Sequence, residues 1–150
     1  MQPIKNKKAY REYEILTKHE AGVQLTGPEV KSVKSGRLNF EGSYVKLVGD
    51  ELFLINADIP LYKHSRSEEY DPSRSRKLLL HRAEITRLQS KIKERPGLTI
   101  IPLQCYTNHN RLKLEIALSK GRKRYELKSV EKNRELKRQD RSMAKEFLKK

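Results

Sequence analysis

The chain has 150 residues, a normal length for one domain and rarely enough for two with separate cores, and it carries 34 Lys and Arg against 19 Asp and Glu, a formal charge of +15 with a pI of about 10.0. Such a charge is far beyond what solubility requires and calls for a polyanionic partner. No apolar run approaches the roughly 18 residues of a membrane span, no apolar stretch follows the basic start Met1 to Lys8 as in a signal peptide, and the single Cys105 cannot form an internal disulfide, so a cytoplasmic protein is expected.

In chain order, "MQPIKNKKAY" is polar and basic without hydrophobic period and reads as a flexible arm over residues 1–9. A first strand is predicted at about Glu12 to Thr17. "TGPEVKSVKSG" predicts a helix of about two turns: Thr26 or Gly27 can cap it, Pro28 needs no N–H partner in the first turn, Glu29 complements the positive dipole end, and Gly36 stands where the helix should stop. "SYVKLVGDELFLIN" predicts a hairpin turning at Gly49-Asp50. "YKHSRSEEYDPSRSR" has no period and reads as a long loop, of the kind that is often functional.

"LLLHRAEITRLQSKIKERPG" predicts a second helix with Ile85, Leu88 and Ile92 on one face, closed by Pro96-Gly97. In "RLKLEIALS", Leu112, Leu114, Ile116 and Leu118 alternate with Lys113, Glu115, Ala117 and Ser119, which predicts a strand with one core face and one partly wet face. It pairs with "LTIIPLQCY" across "TNHN", and Cys105 in that strand reads as a buried structural thiol. Antiparallel hairpins with two interposed helices predict a mainly β domain with short helices, a small α+β fold or a partly closed barrel, over residues 10–121. Beyond Gly121 the apolar residues are too sparse for a core, so 122–150 is a basic tail.

The chemistry begins with absences. His19, His64, His81 and His109 are scattered, no Cys/His spacing suggests a metal, and no phosphate loop, nucleophile elbow or paired-acid motif is present, so neither a catalytic residue nor a cofactor is expected. Basic residues instead cluster on three elements: Lys5, Lys7 and Lys8 in the arm; Lys31, Lys34 and Arg37 on the first helix; Arg74, Arg76 and Lys77 in the long loop. Closely spaced cations suit a polyanion that sheds counterions on binding. Nothing resembles a helix-turn-helix, zinc finger or basic zipper, whereas a small β domain with aromatics such as Tyr10 and Tyr13 near lysines suits structured or unstacked RNA.

The stretches "NKKAYREYEI", "EAGVQLTGPEVKSVKSGR", "DPSRSRKLLLH", "LTIIPLQCY" and "ALSKGRKRY" stand in the order and spacing of the SmpB family, which the chain resembles from about Asn6 to the tail. The resemblance implies a six-stranded antiparallel barrel like an oligonucleotide-binding fold. It implies a non-enzymatic role in bacterial trans-translation, in which the tRNA-like domain of transfer-messenger RNA (tmRNA) is bound and brought to stalled ribosomes. Its partners would be tmRNA, the small ribosomal subunit and, through the RNA complex, elongation factor Tu and alanyl-tRNA synthetase, with the protein a monomer.

Carried over by position, the family's RNA-contacting residues match Asn6, Tyr13, Glu20, Lys113 and the bases around Arg74 to Lys77, with Leu79 positioning that loop through packing. Glu20 would accept from a base amino group or a 2′-hydroxyl and supply selectivity, while lysines supply affinity. The resemblance implies a tail that is disordered when free, becomes helical inside the ribosome and probes the empty message channel. Here the tail's bases, from Arg122 to Lys150, outnumber its acids twelve to five, and a helix is plausible from Val130 to Leu148. Lys120, Gly121, Arg122 and Lys123 match the family's glycine-basic stretch, but Glu126, Leu127 and Lys128 stand where it usually carries Asp-Lys-Arg. Two other classes compete: a ribosomal or ribosome-assembly protein, and a metal-dependent nuclease using Glu20, Glu29, Glu41 or Asp71.

Overall fold

The computed structural model describes residues 1–66, 69–122 and 135–138. In chain order the elements are β1 (Ile4–Lys5), α1 (Ala9–Glu12), β2 (Tyr13–Val23), α2 (Gly27–Lys34), β3 (Tyr44–Val48), β4 (Glu51–Ile55), β5 (Arg76–Leu79), α3 (Arg82–Glu94), β6 (Leu98–Asn108) and β7 (Arg111–Gly121). Strands β6, β3, β4, β5, β2 and β7 pair in that order, every pair antiparallel, and β7 pairs back onto β6. The six longer strands therefore close into a ring, the OB-like arrangement that the family resemblance implies.

The interior follows from strand alternation. Leu114, Ile116 and Leu118 of β7 point inward with Ala21, Leu52, Leu54, Leu78 and Ile100, all nearly inaccessible. Helix α3 packs onto this core with Leu88, 1% exposed, flanked by the half-buried Ile85 and Ile92. Burying one such leucine contributes about 1.5–3 kcal/mol. Cys105 is buried as its sequence context suggests, and burial pushes its thiol up to about 12.

Helix α2 begins where its signals place it. Thr26 accepts from the Glu29 N–H, the Glu29 carboxylate accepts from the Thr26 N–H at 2.9 Å, and Pro28 lies in the first turn. Gly36, at φ +90°, takes the left-handed conformation just past the helix. The hairpin at Gly49-Asp50 joins β3 to β4 as expected.

Four sequence expectations change. The first strand runs on to Val23, because Thr17 to Gly22 pair with β7 past a bulge at Leu16. "RKLL" forms β5, a four-residue strand whose apolar run merges in sequence with the helix that follows. The arm suggested over residues 1–9 is seated: Ile4 and Lys5 pair with β6, and the Asn6 N–H donates to the Leu103 carbonyl at 2.8 Å. Leu103 is the extra residue of a β6 bulge beside Pro102, whose carbonyl accepts from the Asn6 side chain at 2.8 Å. The face of β7 expected to be partly wet is also closed, at Ala117 because Ala9, Ile101, Leu103 and Ala117 form a second small core on the outside of the sheet, and at Ser119, whose hydroxyl donates to the Thr99 carbonyl.

Candidate nucleic-acid interface

Register builds the site. Side chains two apart share a face, so Glu20 and Gly22 of β2, Glu115 and Lys113 of β7, and Gln104 and Tyr106 of β6 all lie outside the ring. Cross-strand pairing aligns them in two rows, Leu79–Gly22–Lys113–Tyr106 and Glu20–Glu115–Gln104. Two clefts of about 510 and 300 Å³ share Gly22, Leu79 and Lys113 and merge into one groove. A Cβ on Gly22 would stand 3.3 Å from that of Leu79, so glycine is what lets Leu79 lie across the strand.

Glu20 supplies the acid of this groove and Lys113 its base. The Tyr106 hydroxyl donates to Glu20, and burial, then the Glu20 hydrogen bond and charge, raise the Tyr106 pKa so that the hydroxyl stays a donor. One carboxylate oxygen of Glu20 is thus held from the protein side, and the other is left to accept from a ligand. Gln104 holds the neighbouring Glu115 at 3.4 Å. A carboxylate with a lysine and a half-exposed leucine beside it can read amino or 2′-hydroxyl donors while the lysine meets phosphate.

Among the sequence-predicted residues, the groove gathers Glu20, Lys113 and Lys34. Leu79 belongs there as well: it is 52% exposed and lines both clefts, so it offers a contact surface rather than the loop packing expected of it. Asn6, Lys8 and Tyr13 meet in a separate cleft of about 240 Å³, with Tyr13 half-buried against the small outer core. Lys7, Lys31 and Arg37 are exposed, Lys31 with its ammonium 5.8 Å from the centre of the Tyr62 ring. Lys8 pairs with Glu41 at 3.4 Å and Lys77 with Glu51 at 3.0 Å.

Arg76 is not available to RNA. It is wholly buried and donates to Glu29 at 2.6 Å, to the Ala57 carbonyl and to the Pro72 carbonyl, each at 2.8 Å. Arg74, partly exposed, meets the other Glu29 oxygen at 2.5 Å. Burial drives the Glu29 pKa upward, but the Thr26 N–H and the two guanidiniums outweigh it and hold the carboxyl below the ordinary range. Glu29 is thereby a structural hub joining α2 to the long loop rather than a nuclease acid. Glu41 is taken by Lys8, and Asp71 accepts from the Ser73 N–H. Among the described residues no three His, Cys, Asp or Glu side chains gather around one point.

Lys120 and Gly121 belong to β7, paired with Glu14 and Tyr13, and Arg122 is tied to α1 through its N–H to the Glu12 carbonyl and its guanidinium to the Tyr10 carbonyl. The positions Lys123, Glu126, Leu127 and Lys128, and most of the helix expected from Val130 to Leu148, lie outside the described residues; Glu135–Arg138 within it form a helical turn.

Sequence reasoning missed Tyr106 and Lys18. Only the turn's exact position aligns Tyr106: His109 and Asn110 both take positive φ in a two-residue turn, and counting outward from it sets Tyr106 opposite Lys113. Lys18, with its ammonium 5.4 Å from the centre of the exposed Tyr10 ring, joins two residues eight apart that only α1's seating on the sheet brings together.

Known proteins share this architecture. The family model described as SmpB protein matches residues 3–146. An SsrA-binding protein of Sulfurihydrogenibium sp. is 46% identical over 134 residues, covering 89% of this chain and 88% of that protein. One from Chlorobaculum tepidum is 46% identical over 145 residues, covering 96% and 92%. A solved chain described by the words "tmRNA-SmpB: a journey to the center of the bacterial ribosome" superposes with a TM-score of 0.67 at 40% identity, covering 81% of this chain and 85% of that one.

Proposed function

The chain belongs to the SmpB family, and from that premise we propose that it binds the tRNA-like domain of tmRNA and delivers it to stalled ribosomes in trans-translation. The observation that carries this reading is the convergence of Glu20, Leu79 and Lys113 from three different strands into one outward groove on a strongly basic barrel. Lysines fix the RNA through its backbone, and Glu20, steadied by Tyr106, selects for donors on the bases or sugars.

The tail from residue 122 onward serves the ribosome, with Lys120, Gly121, Arg122, Lys123, Glu126 and Lys128 as its contacts and the tail occupying a message channel left empty. Elongation factor Tu and alanyl-tRNA synthetase meet the protein through the RNA complex. Acting on ribosomes, the protein works in the cytoplasm as a monomer and catalyses nothing itself. No described helix is long and apolar enough to cross a membrane.

Binding of the tRNA-like domain, compared with a tRNA and an unrelated hairpin at two salt concentrations, tests the reading. A preference for the tRNA-like domain that survives the higher salt supports it, because charge alone fades with salt. Equal affinities that weaken together would leave only a basic barrel and favour a ribosomal protein. Removing the residues after Gly121 is expected to spare RNA binding and abolish tagging of stalled chains.

A further inference from the structure

Helix α3 leads away from the groove. His81 and Glu84, at its start, line the cleft beside Glu20 and Lys113, Arg87 and Lys91 then follow four residues apart along the helix, and Arg95 stands just past its C-terminal end, all three exposed. Four helical residues advance about 6 Å, a step on the scale of one nucleotide. None of the three forms a salt bridge among the described residues, whereas Lys8, Arg74, Arg76 and Lys77 each meet a carboxylate. The cations of this flank are therefore left for a partner, whereas Arg74, Arg76 and Lys77 are engaged within the protein.

The flank's direction is fixed by its neighbours. Glu84 shares the groove with Glu20, and Lys91 and Arg95 share a cleft with Leu16, so the row runs beside β2 from the Glu20 end toward its bulge. At its far end a cleft of about 260 Å³ sets Lys91 and Arg95 against Leu16, Leu98 and Leu118. Leu16, the extra residue of the β2 bulge, lines that cleft and is 39% exposed. Glu94 shares this cleft; it would repel a phosphate but can accept from a ribose hydroxyl.

We propose that this flank is a second, phosphate-tracking part of the RNA interface: the strand seated in the groove continues along α3, with phosphates on Arg87, Lys91 and Arg95 and a sugar or base against Leu16 and Leu98. The proposal rests on the groove being the site of the tRNA-like domain and extends it along α3 to the helix's C-terminal end.

The full chain and two triple variants, Arg87→Ala/Lys91→Ala/Arg95→Ala and a control of equal charge, Lys46→Ala/Lys63→Ala/Arg66→Ala, are titrated with the tRNA-like domain over a range of salt. Each phosphate contact adds roughly 0.7–0.9 to the slope of log K against log salt, so the α3 triple should flatten it by about 2–3 and the control by less than about 1. Leu16→Ala should weaken binding several-fold at every salt without moving the slope. Equal slopes for the two triples overturn the proposal, as does a loss seen with ribosomal RNA alone. A wild-type protein without preference for the tRNA-like domain overturns the groove reading and this extension together, whereas preference with an unchanged α3 slope sinks the extension by itself.

Discussion

Replacing Glu29 by Gln tests whether the hub beneath the long loop is structural. The substitution preserves shape and can keep the acceptor for the Thr26 N–H, but it leaves Arg76, fully buried, without its counter-charge, and Arg74 without its partner. Breaking a buried pair by removing one side costs about 3–5 kcal/mol, which for a domain of this size lowers the thermal midpoint by on the order of 10–20 °C. The pH dependence sharpens the test. The folded-state pKa of Glu29 is lowered, so its stabilisation is complete above the unfolded carboxylate value of about 4.3 and is lost as pH falls through the folded value. Urea unfolding of both proteins, monitored by circular dichroism from pH 7 downward, should show a full gap at neutrality that closes in acid. A gap below about 1 kcal/mol at pH 7, or one that persists unchanged at acid pH, would refute the account of Glu29 as the charge that holds the buried arginine.

Glu20→Gln should lower affinity for the tRNA-like domain by about 5- to 150-fold, the worth of a good base-edge contact, with little change for an unrelated hairpin. Tyr106→Phe should reproduce part of that loss and add nothing in the Glu20→Gln background, as a double-mutant cycle read by binding would reveal; additive losses would mean that Tyr106 acts independently of Glu20. Cys105 should resist alkylation in the native protein at pH 8, since burial pushes its thiol up to about 12, and react fully once urea unfolds the chain. Leu88→Ala should cost about 2–5 kcal/mol in urea unfolding, as expected for a fully buried helix residue packed into the ring.

Local chemistry was the most legible part of the fold. Thr26, Pro28, Glu29 and Gly36 bound α2 through rules that act within one turn, and the alternation in β7 announced its buried leucines. What escaped depends on distant partners. Arg76 counts as one more basic residue in "DPSRSRKLLL" until Glu29, 47 positions earlier, is found to neutralise it. Ala117 and Ser119 are small enough to face either water or protein, and only the seated α1 decides the matter for Ala117. The groove was half legible for the same reason: Glu20 and Lys113 came from family resemblance, while Tyr106 required the hairpin register to be carried across the sheet.

Closure of the ring between β2 and β7 makes the proposed RNA-binding face a property of the finished polypeptide. Glu20 emerges early in synthesis, yet its neighbours Lys113 and Glu115 come more than ninety residues later, and until then β2 has only the short pairing of Gly22 and Val23 with β5. Pairing across so long a span is slow to form. A chain whose own translation halts before β7 therefore lacks the groove and would not draw RNA away from complete copies.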